Sequence, residues 1–248
     1  MSTIYIDTHC HLDLLKEIDK NPTQEDRLPI KSISVTNAPF LFKPNTILFA
    51  QSKNIRISLG LHPELVSTYH DQIDIFKQML PLTKYVGEVG LDGSIEHRGN
   101  YMLQKKVFEE ILVAAGAEDN KILTVHSRNA ANETIELIHK HLKNTNCQVI
   151  FHWFSGNINE LRSALKYGFY FSFNHRMVTS KKGQHLIAEI PKDAVLTESD
   201  APFTFNNKIK NRLDSIKFSV KEGSKLYNIQ EEEFKSVIYN NFKTMLLK

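Results

Sequence analysis

Ile6-Asp7-Thr8-His9-Cys10-His11-Leu12-Asp13 is the stretch on which the reading of this chain turns. In an extended strand successive side chains alternate between faces, so His9 and His11 point one way and Cys10 the other. Two imidazoles at one strand end are a natural start for a metal site, because neutral histidine nitrogens suit zinc-like ions. On its own a His-x-His pair means little, since most are surface or core histidines. Its weight comes from what recurs downstream.

Working outward, short β-branched or aromatic runs alternate with longer amphipathic stretches. The strand candidates are Ile4–Asp7, Ser32–Thr36, Ile55–Gly60, Tyr85–Glu88, Ile122–His126, Gln148–His152, Tyr170–Phe173 and Ala194–Glu198. Between them Leu103–Ala115, Ala130–His141 and Ile158–Tyr167 read as helices; Leu103, Val107, Ile111 and Ala114 recur at helical spacing. Strands alternating with helices predict a parallel sheet. Eight such units in 248 residues predict an α/β fold, a single TIM-like (β/α)8 barrel spanning 1–248. No Pro/Gly/Ser linker or repeat breaks the series. Glu231-Glu232-Glu233 is expected to open a terminal helix, where carboxylates favour the dipole. Lys208–Lys248 is read as the closing helices, and the polar loop Asn206–Asn211 as the least defined part.

Composition narrows the class. The apolar fraction of 41% and charged fraction of 24% are those of an ordinary globular protein, and a net charge of +3 means that the whole protein is not a polyelectrolyte binder, with a local basic surface left open. Cys10 and Cys147 are expected to be reduced thiols. The start MSTIYIDTH lacks a signal-peptide pattern, and no apolar run approaches the roughly 18 residues that span a bilayer. The expectation is a cytoplasmic protein without membrane partners.

A barrel demands that catalytic groups gather where strands end and loops begin. His9 and His11 end the first strand, His62 follows the third, Glu88 closes the fourth, His126 the fifth and His152 the sixth, and Asp200 follows the eighth. A single histidine at a strand end is usually a packing residue, and a single carboxylate there usually a helix cap. Many such accidents on one rim are far less probable. Four histidines with Glu88 and Asp200 suffice for two divalent ions, such as zinc, magnesium or manganese, sharing a bridging carboxylate. Glu88 is the expected bridge. His9 and His11 would hold one ion with Asp200, His126 and His152 the other, and Asp200 could deprotonate the attacking water. Two such ions roughly 3.5–4 Å apart can drive displacement at phosphorus.

Around this set, Arg128 suits a phosphate oxygen, and Ser172 is a supporting candidate. Asp7 is expected to support a histidine or pack in the barrel mouth, Asp92 to cap a helix or support the site. His97, Arg98, His139 and His141 are expected in solvent, and His175 and Arg176 near substrate. Trp153, Phe154, Phe203 and Phe205 offer rings on which unpaired bases could stack.

In order along the chain, IDTHCHLD, SLGLHPE, VGEVGLDG, QKKVFEEIL, LTVHSRNA, FHWFSGN, GFYFSFN and TESDAPF resemble the TatD-type metal-dependent deoxyribonucleases. The resemblance implies a TIM-like barrel and a two-metal site of His9, His11, Glu88, His126, His152 and Asp200, with His62 near the substrate phosphate. It also implies hydrolysis of phosphodiester bonds in DNA, commonly single strands, free ends or damaged sites. This chain departs from the family pattern at Gly93, Glu64, Trp153 and the Asn-rich stretch after Asp200, all around the mouth. With SVTNAPF and YFSFNHRM, these variants are more similar to the TatD-type nucleases of Qat anti-phage defence systems, which implies defence-system partner proteins. Two other functions fit the same residues: amide or ester hydrolysis, including tRNA deacylation, and a defence subunit binding nucleic acid without turnover. The absence of a lysine ligand after the fourth strand, where Glu88 stands, favours phosphodiester chemistry.

Overall fold

Strands buried on both faces read as nearly unbroken apolar runs, and Ile122-Leu123-Thr124-Val125 and Tyr170-Phe171-Ser172-Phe173 are such runs. The computed structural model describes residues 4–248. Among them β1 (Tyr5–Cys10), β2 (Ile30–Ser34), β3 (Ile55–Ile57), β4 (Tyr85–Gly90), β5 (Ile122–His126), β6 (Gln148–His152), β7 (Tyr170–Phe173) and β8 (Val195–Thr197) follow in chain order. All paired strands are parallel. Two ladders result, β1-β2-β3 and β4 through β8.

Backbone and threonine hydrogen bonds close the ladders into a barrel. At one seam Leu59 N donates to Tyr85 O (3.0 Å) and Gly87 N to Leu59 O (2.8 Å). At the other, Thr197 Oγ1 donates to Ile6 O (2.7 Å) and Thr8 Oγ1 to Thr197 O (3.2 Å). Closure leaves no open strand edge. The eight-stranded TIM-like barrel expected from the alternation is the observed fold.

The helices are α1 (Pro22–Asp26), α2 (Pro39–Leu48), α3 (Val66–Tyr69), α4 (Ile73–Met79), α5 (Tyr101–Glu118), α6 (Ala131–Leu142), α7 (Ile158–Lys166), α8 (His175–Val178), α9 (Lys181–Glu189), α10 (Arg212–Leu226) and α11 (Glu231–Leu247). The acidic run does open α11, and α10 and α11 close the chain. The loop before α10 is better ordered by its own bonds than its composition suggested. Asn206 Oδ1 accepts from the backbone of Lys208 (2.8 Å) and Ile209 (2.9 Å), and Asn211 caps α10 through the Asp214 amide (2.9 Å).

Strand limits shift where the barrel is irregular. β1 runs to Cys10 rather than stopping at Asp7, with a register break between Asp7 and Cys10. β3 stops at Ile57 because the following residues leave its ladder to bond β4, Leu61 N reaching Glu88 O at 3.0 Å. Gly60 is required at this crossing, since a Cβ there would lie 1.8 Å from Thr36 O.

One buried ion pair fastens the mouth from below. Arg212 is 1% exposed; its Nε donates to Asp7 Oδ2 (3.0 Å) and its Nη1 to Glu25 Oε2 (2.6 Å). Asp7 also accepts from the Ser199 amide (2.8 Å) and hydroxyl (2.7 Å), which fixes the segment just before Asp200 against β1. Removing one partner of a buried pair leaves an uncompensated charge. Arg212→Met is therefore expected to lower unfolding free energy by about 3–5 kcal/mol, read from a denaturant midpoint.

Candidate metal centre

The C-terminal ends of β1, β4, β5 and β6 and the loop after β8 converge on the Glu88 carboxylate. Each of its oxygens faces a different set of imidazoles. Glu88 Oε2 lies 3.2 Å from His9 Nε2 and 3.3 Å from His11 Nε2. Asp200 Oδ1 lies 3.8 Å from His9 Nε2 and 3.6 Å from His11 Nε2, which are themselves 3.3 Å apart. Glu88 Oε1 lies 2.8 Å from His152 Nε2, 2.9 Å from His126 Nδ1 and 3.1 Å from His62 Nε2. The rings of His9 and His152 stack at 3.8 Å, binding the two sets together.

Hydrogen bonds on the far side of each ring decide what the near nitrogen can do. His126 Nε2 lies 2.7 Å from Asp92 Oδ2, so a neutral His126 donates there and turns its Nδ1 lone pair toward Glu88. A lone pair against a carboxylate oxygen at 2.9 Å is repulsive unless a cation or proton lies between them. His62 is arranged the opposite way. Its Nδ1 accepts from the Glu64 amide (3.2 Å), placing its proton on Nε2, which donates to Glu88 Oε1. His62 in this tautomer is a hydrogen-bond donor to Glu88, and it also lies in one group with Glu88 and His126 whose ligand atoms are close enough to share an ion.

The donor set fits divalent metal ions. A tetrahedral site with bonds of about 2.0–2.2 Å has edges of roughly 3.3–3.6 Å, close to the separations among His9, His11 and Glu88, while Asp200 stands 3.6 Å from His11 and 3.8 Å from His9. Burial, then the neighbouring His152, holds His9 well below the usual imidazole range, so it stays neutral and able to ligate. Burial alone would raise the Glu88 carboxyl, but His62, His152 and His9 hold it well below the usual range. Asp200 is pushed well above it, by burial first and then by Glu198, Glu88 and Asp7. Burial lowers the basicity of His126 and His152, yet the carboxylates facing them raise both above the ordinary value. A site with this many carboxylates favours added positive charge.

Asp92 and Glu198 support the ligand rings. Asp92 is fully buried and also accepts from the Ser94 amide (2.8 Å), so it serves both histidine and loop. Gly90 brings the strand close enough for this: a Cβ would lie 2.0 Å from His126 O, and its φ is +140°. Glu198 stands 3.8 Å from His152 Nδ1 and accepts from Asn174 Nδ2 (2.9 Å), the Trp153 amide (3.1 Å) and Ser172 Oγ. Ser172 therefore acts through Glu198. Asp200 (φ 46°) and Trp153 (φ 37°) lie in the left-handed region, costly for residues with a side chain. Asp200 N donating to His9 O (2.9 Å) and the Trp153 amide bond to Glu198 hold them there.

Above this floor opens a cavity of about 550 Å³, with Arg128, Trp153, Phe203 and Glu64 on its walls. Phe203 is 58% exposed with its ring edge-on to His11. Other expectations are corrected. His175 is 1% exposed, with Nδ1 2.8 Å from Ser215 Oγ and Nε2 3.4 Å from Asn206 Nδ2, so it packs α8 against α10 away from the mouth. Arg176 donates from Nε to Thr204 O (2.8 Å) and from Nη2 to Phe205 O (3.2 Å), bracing the loop after Asp200, and does not line the cavity. Phe154 is buried between Phe151 and Phe171. His139 stacks on Tyr167, His141 lies 3.3 Å from Glu109, and His97 lies 3.4 Å from Glu64; none of the three is free in solvent.

The family model described as TatD related DNase matches residues 6–247. The chain belongs to the TatD family. An uncharacterized metal-dependent hydrolase of Methanocaldococcus jannaschii is 27% identical over 96% of this chain and 94% of its own. Deoxyribonuclease Tat-D of Schizosaccharomyces pombe is 32% identical over 47% of this chain and 37% of its own. The crystal structure of the TatD homolog YJJV from Escherichia coli superposes with a TM-score of 0.87 at 22% identity, over 99% of this chain and 98% of that one. The protein is thus a member of a metal-dependent hydrolase family. No helix among the described residues is long and apolar enough to cross a membrane.

Two outcomes follow. Asp92→Asn leaves one acceptor oxygen where the carboxylate uses two, for His126 and for the Ser94 amide, and removes the charge behind His126; it is expected to weaken metal binding by about 10–100-fold, measured by competition with a chromogenic chelator. Burial, then the Arg176 charge, lowers the His175 pKa from 6.5. The unfolded chain therefore binds the proton better, and stability that is full above about pH 6.5 falls as pH drops. His175→Gln should flatten that fall in denaturant midpoints between about pH 6.5 and 5, relative to the parent.

Proposed function

We propose that the protein is a metal-dependent DNA nuclease that hydrolyses phosphodiester bonds with two divalent cations shared through Glu88. The observation that carries this reading is the division of one carboxylate between two sets of imidazoles at the floor of an open cavity. His9, His11 and Asp200 would hold one cation, His126 and His152 the other. Bound there, the cations would acidify a water and offset charge on the phosphodiester.

The chain's own groups supply the rest. Asp200 would take the proton of the attacking water, a role its raised carboxyl fills only with cation charge beside it. His62, with its proton on Nε2, donates to a non-bridging phosphate oxygen once substrate enters. Arg128 offers a planar fork to the same phosphate. Trp153 and Phe203 present ring faces to an unpaired base, a contact worth roughly 1–3 kcal/mol per base. The cavity mouth suits a single strand or a free end.

We read the setting as anti-phage defence in the cytoplasm, alongside partner proteins. That reading draws on SVTNAPF and HWFSG, segments that contribute Asn37 and Trp153 to the cavity wall.

End-labelled single-stranded DNA with Mg²⁺, Mn²⁺ or Zn²⁺ tests the chemistry. The parent should cut it, and Glu88→Ala should lose about 10³-fold or more while keeping the parent's circular dichroism. Undiminished cleavage by Glu88→Ala, or turnover only of aminoacyl-tRNA or simple esters, would overturn the nuclease reading. Loss of phage protection in cells carrying Glu88→Ala is the matching expectation for defence.

A further inference from the structure

A second cavity of about 560 Å³ adjoins the first, and none of the chemistry above uses it. The two share Ser155, and the chain steps from one to the other between Arg128 and Asn129. Arg98 and Lys182 stand on its walls against the single carboxylate of Glu160. That carboxylate is already engaged, since Glu160 Oε2 accepts from the Asn157 amide (2.7 Å) in the capping box of α7. Arg98 is exposed, and its guanidinium makes no ion pair or hydrogen bond with the described residues. Lys182 Nζ donates to Ser155 O (2.5 Å), and an ammonium has three donors, so two remain for a ligand. The start of α6 opens on the same cavity without a side-chain cap, leaving its first amides for an acceptor. Ile95, 80% exposed, adds an apolar face beside these donors.

Charge around the first cavity is one-sided. Glu64 stands on its wall with only His97 among the described residues, at 3.4 Å, as an ion-pair candidate, while Arg128 leads toward Arg98 and Lys182. A polyanion leaving the metal centre is repelled on the first side and attracted on the second.

We propose that the second cavity binds the sugar-phosphate backbone of a single-stranded nucleic acid adjoining the phosphate to be cut. Arg98 and Lys182 each take one phosphate, so the strand leaves the metal centre across Ser155. This rests on the nuclease reading for its direction, but the binding itself is measurable without turnover.

The test uses an Arg98→Ala/Lys182→Ala double variant, both side chains being exposed. Binding of a fluorescent single strand of about 12 nucleotides is followed by anisotropy in EDTA. About tenfold weaker binding is expected, with the log Kd against log salt slope reduced by about 1.4, or 0.7 per phosphate released. Hydrolysis of bis(p-nitrophenyl) phosphate, too small to reach the second cavity, should be unchanged, while KM for the oligonucleotide rises. Parental affinity and salt slope in the double variant would overturn the proposal, as would an equal loss on the small diester. Parental binding that depends on Arg98 and Lys182, without DNA cleavage under any metal, would overturn the nuclease reading while supporting the binding groove.

Discussion

The structure is organised around one buried carboxylate, Glu88, held against five imidazoles. Glu88 is buried among imidazoles from the ends of β1, β5 and β6 and the loop after β3, and each of its oxygens faces a different set. Withdrawing a carboxylate from water costs several kcal/mol. Neutral histidines offset that only where they donate, and the Asp92 contact turns the lone pair of His126 Nδ1 toward the acid. Asp200, close to the same point, adds a second acid. The arrangement is poor as a structural core and well suited to holding divalent cations.

The barrel exists to hold those groups at that spacing, and its supports are buried and polar. Glu198 and Asp92 stand behind His152 and His126, while Asp7 and Arg212 lock the segment leading into Asp200. Each is a charged group well inside the protein, justified by what it orients. The left-handed backbone of Asp200 and Trp153 belongs to the same economy, with local strain held by bonds to His9 and Glu198.

Much of this was readable in the chain. β5, β6 and β7 are continuous apolar runs ending in or just before chemistry-bearing residues, so period and position agreed. The convergence of His9, His11, Glu88, His126, His152 and Asp200 followed from placing every strand end on one rim. What sequence could not supply depended on side-chain direction after the strand stops. His175 and Arg176 follow β7 as Asp200 follows β8, yet α8 begins at His175 and turns it onto Ser215. Asp92 had two equally good local roles and takes the one beside His126; its other oxygen accepts the Ser94 amide in a local turn and caps no helix. Arg212 gave no signal, because its partner Asp7 lies at the opposite end of the chain. Glu198 was visible in TESDAPF, but its role depends on Trp153, Ser172 and Asn174 meeting it in space.

The bridging role proposed for Glu88 is tested most directly by anomalous diffraction from crystals grown with Mn²⁺. Two maxima are expected, one beside each Glu88 oxygen, the first also near His9 and His11 and the second near His126 and His152. A single maximum contacting only one oxygen, or manganese bound only elsewhere, would contradict it.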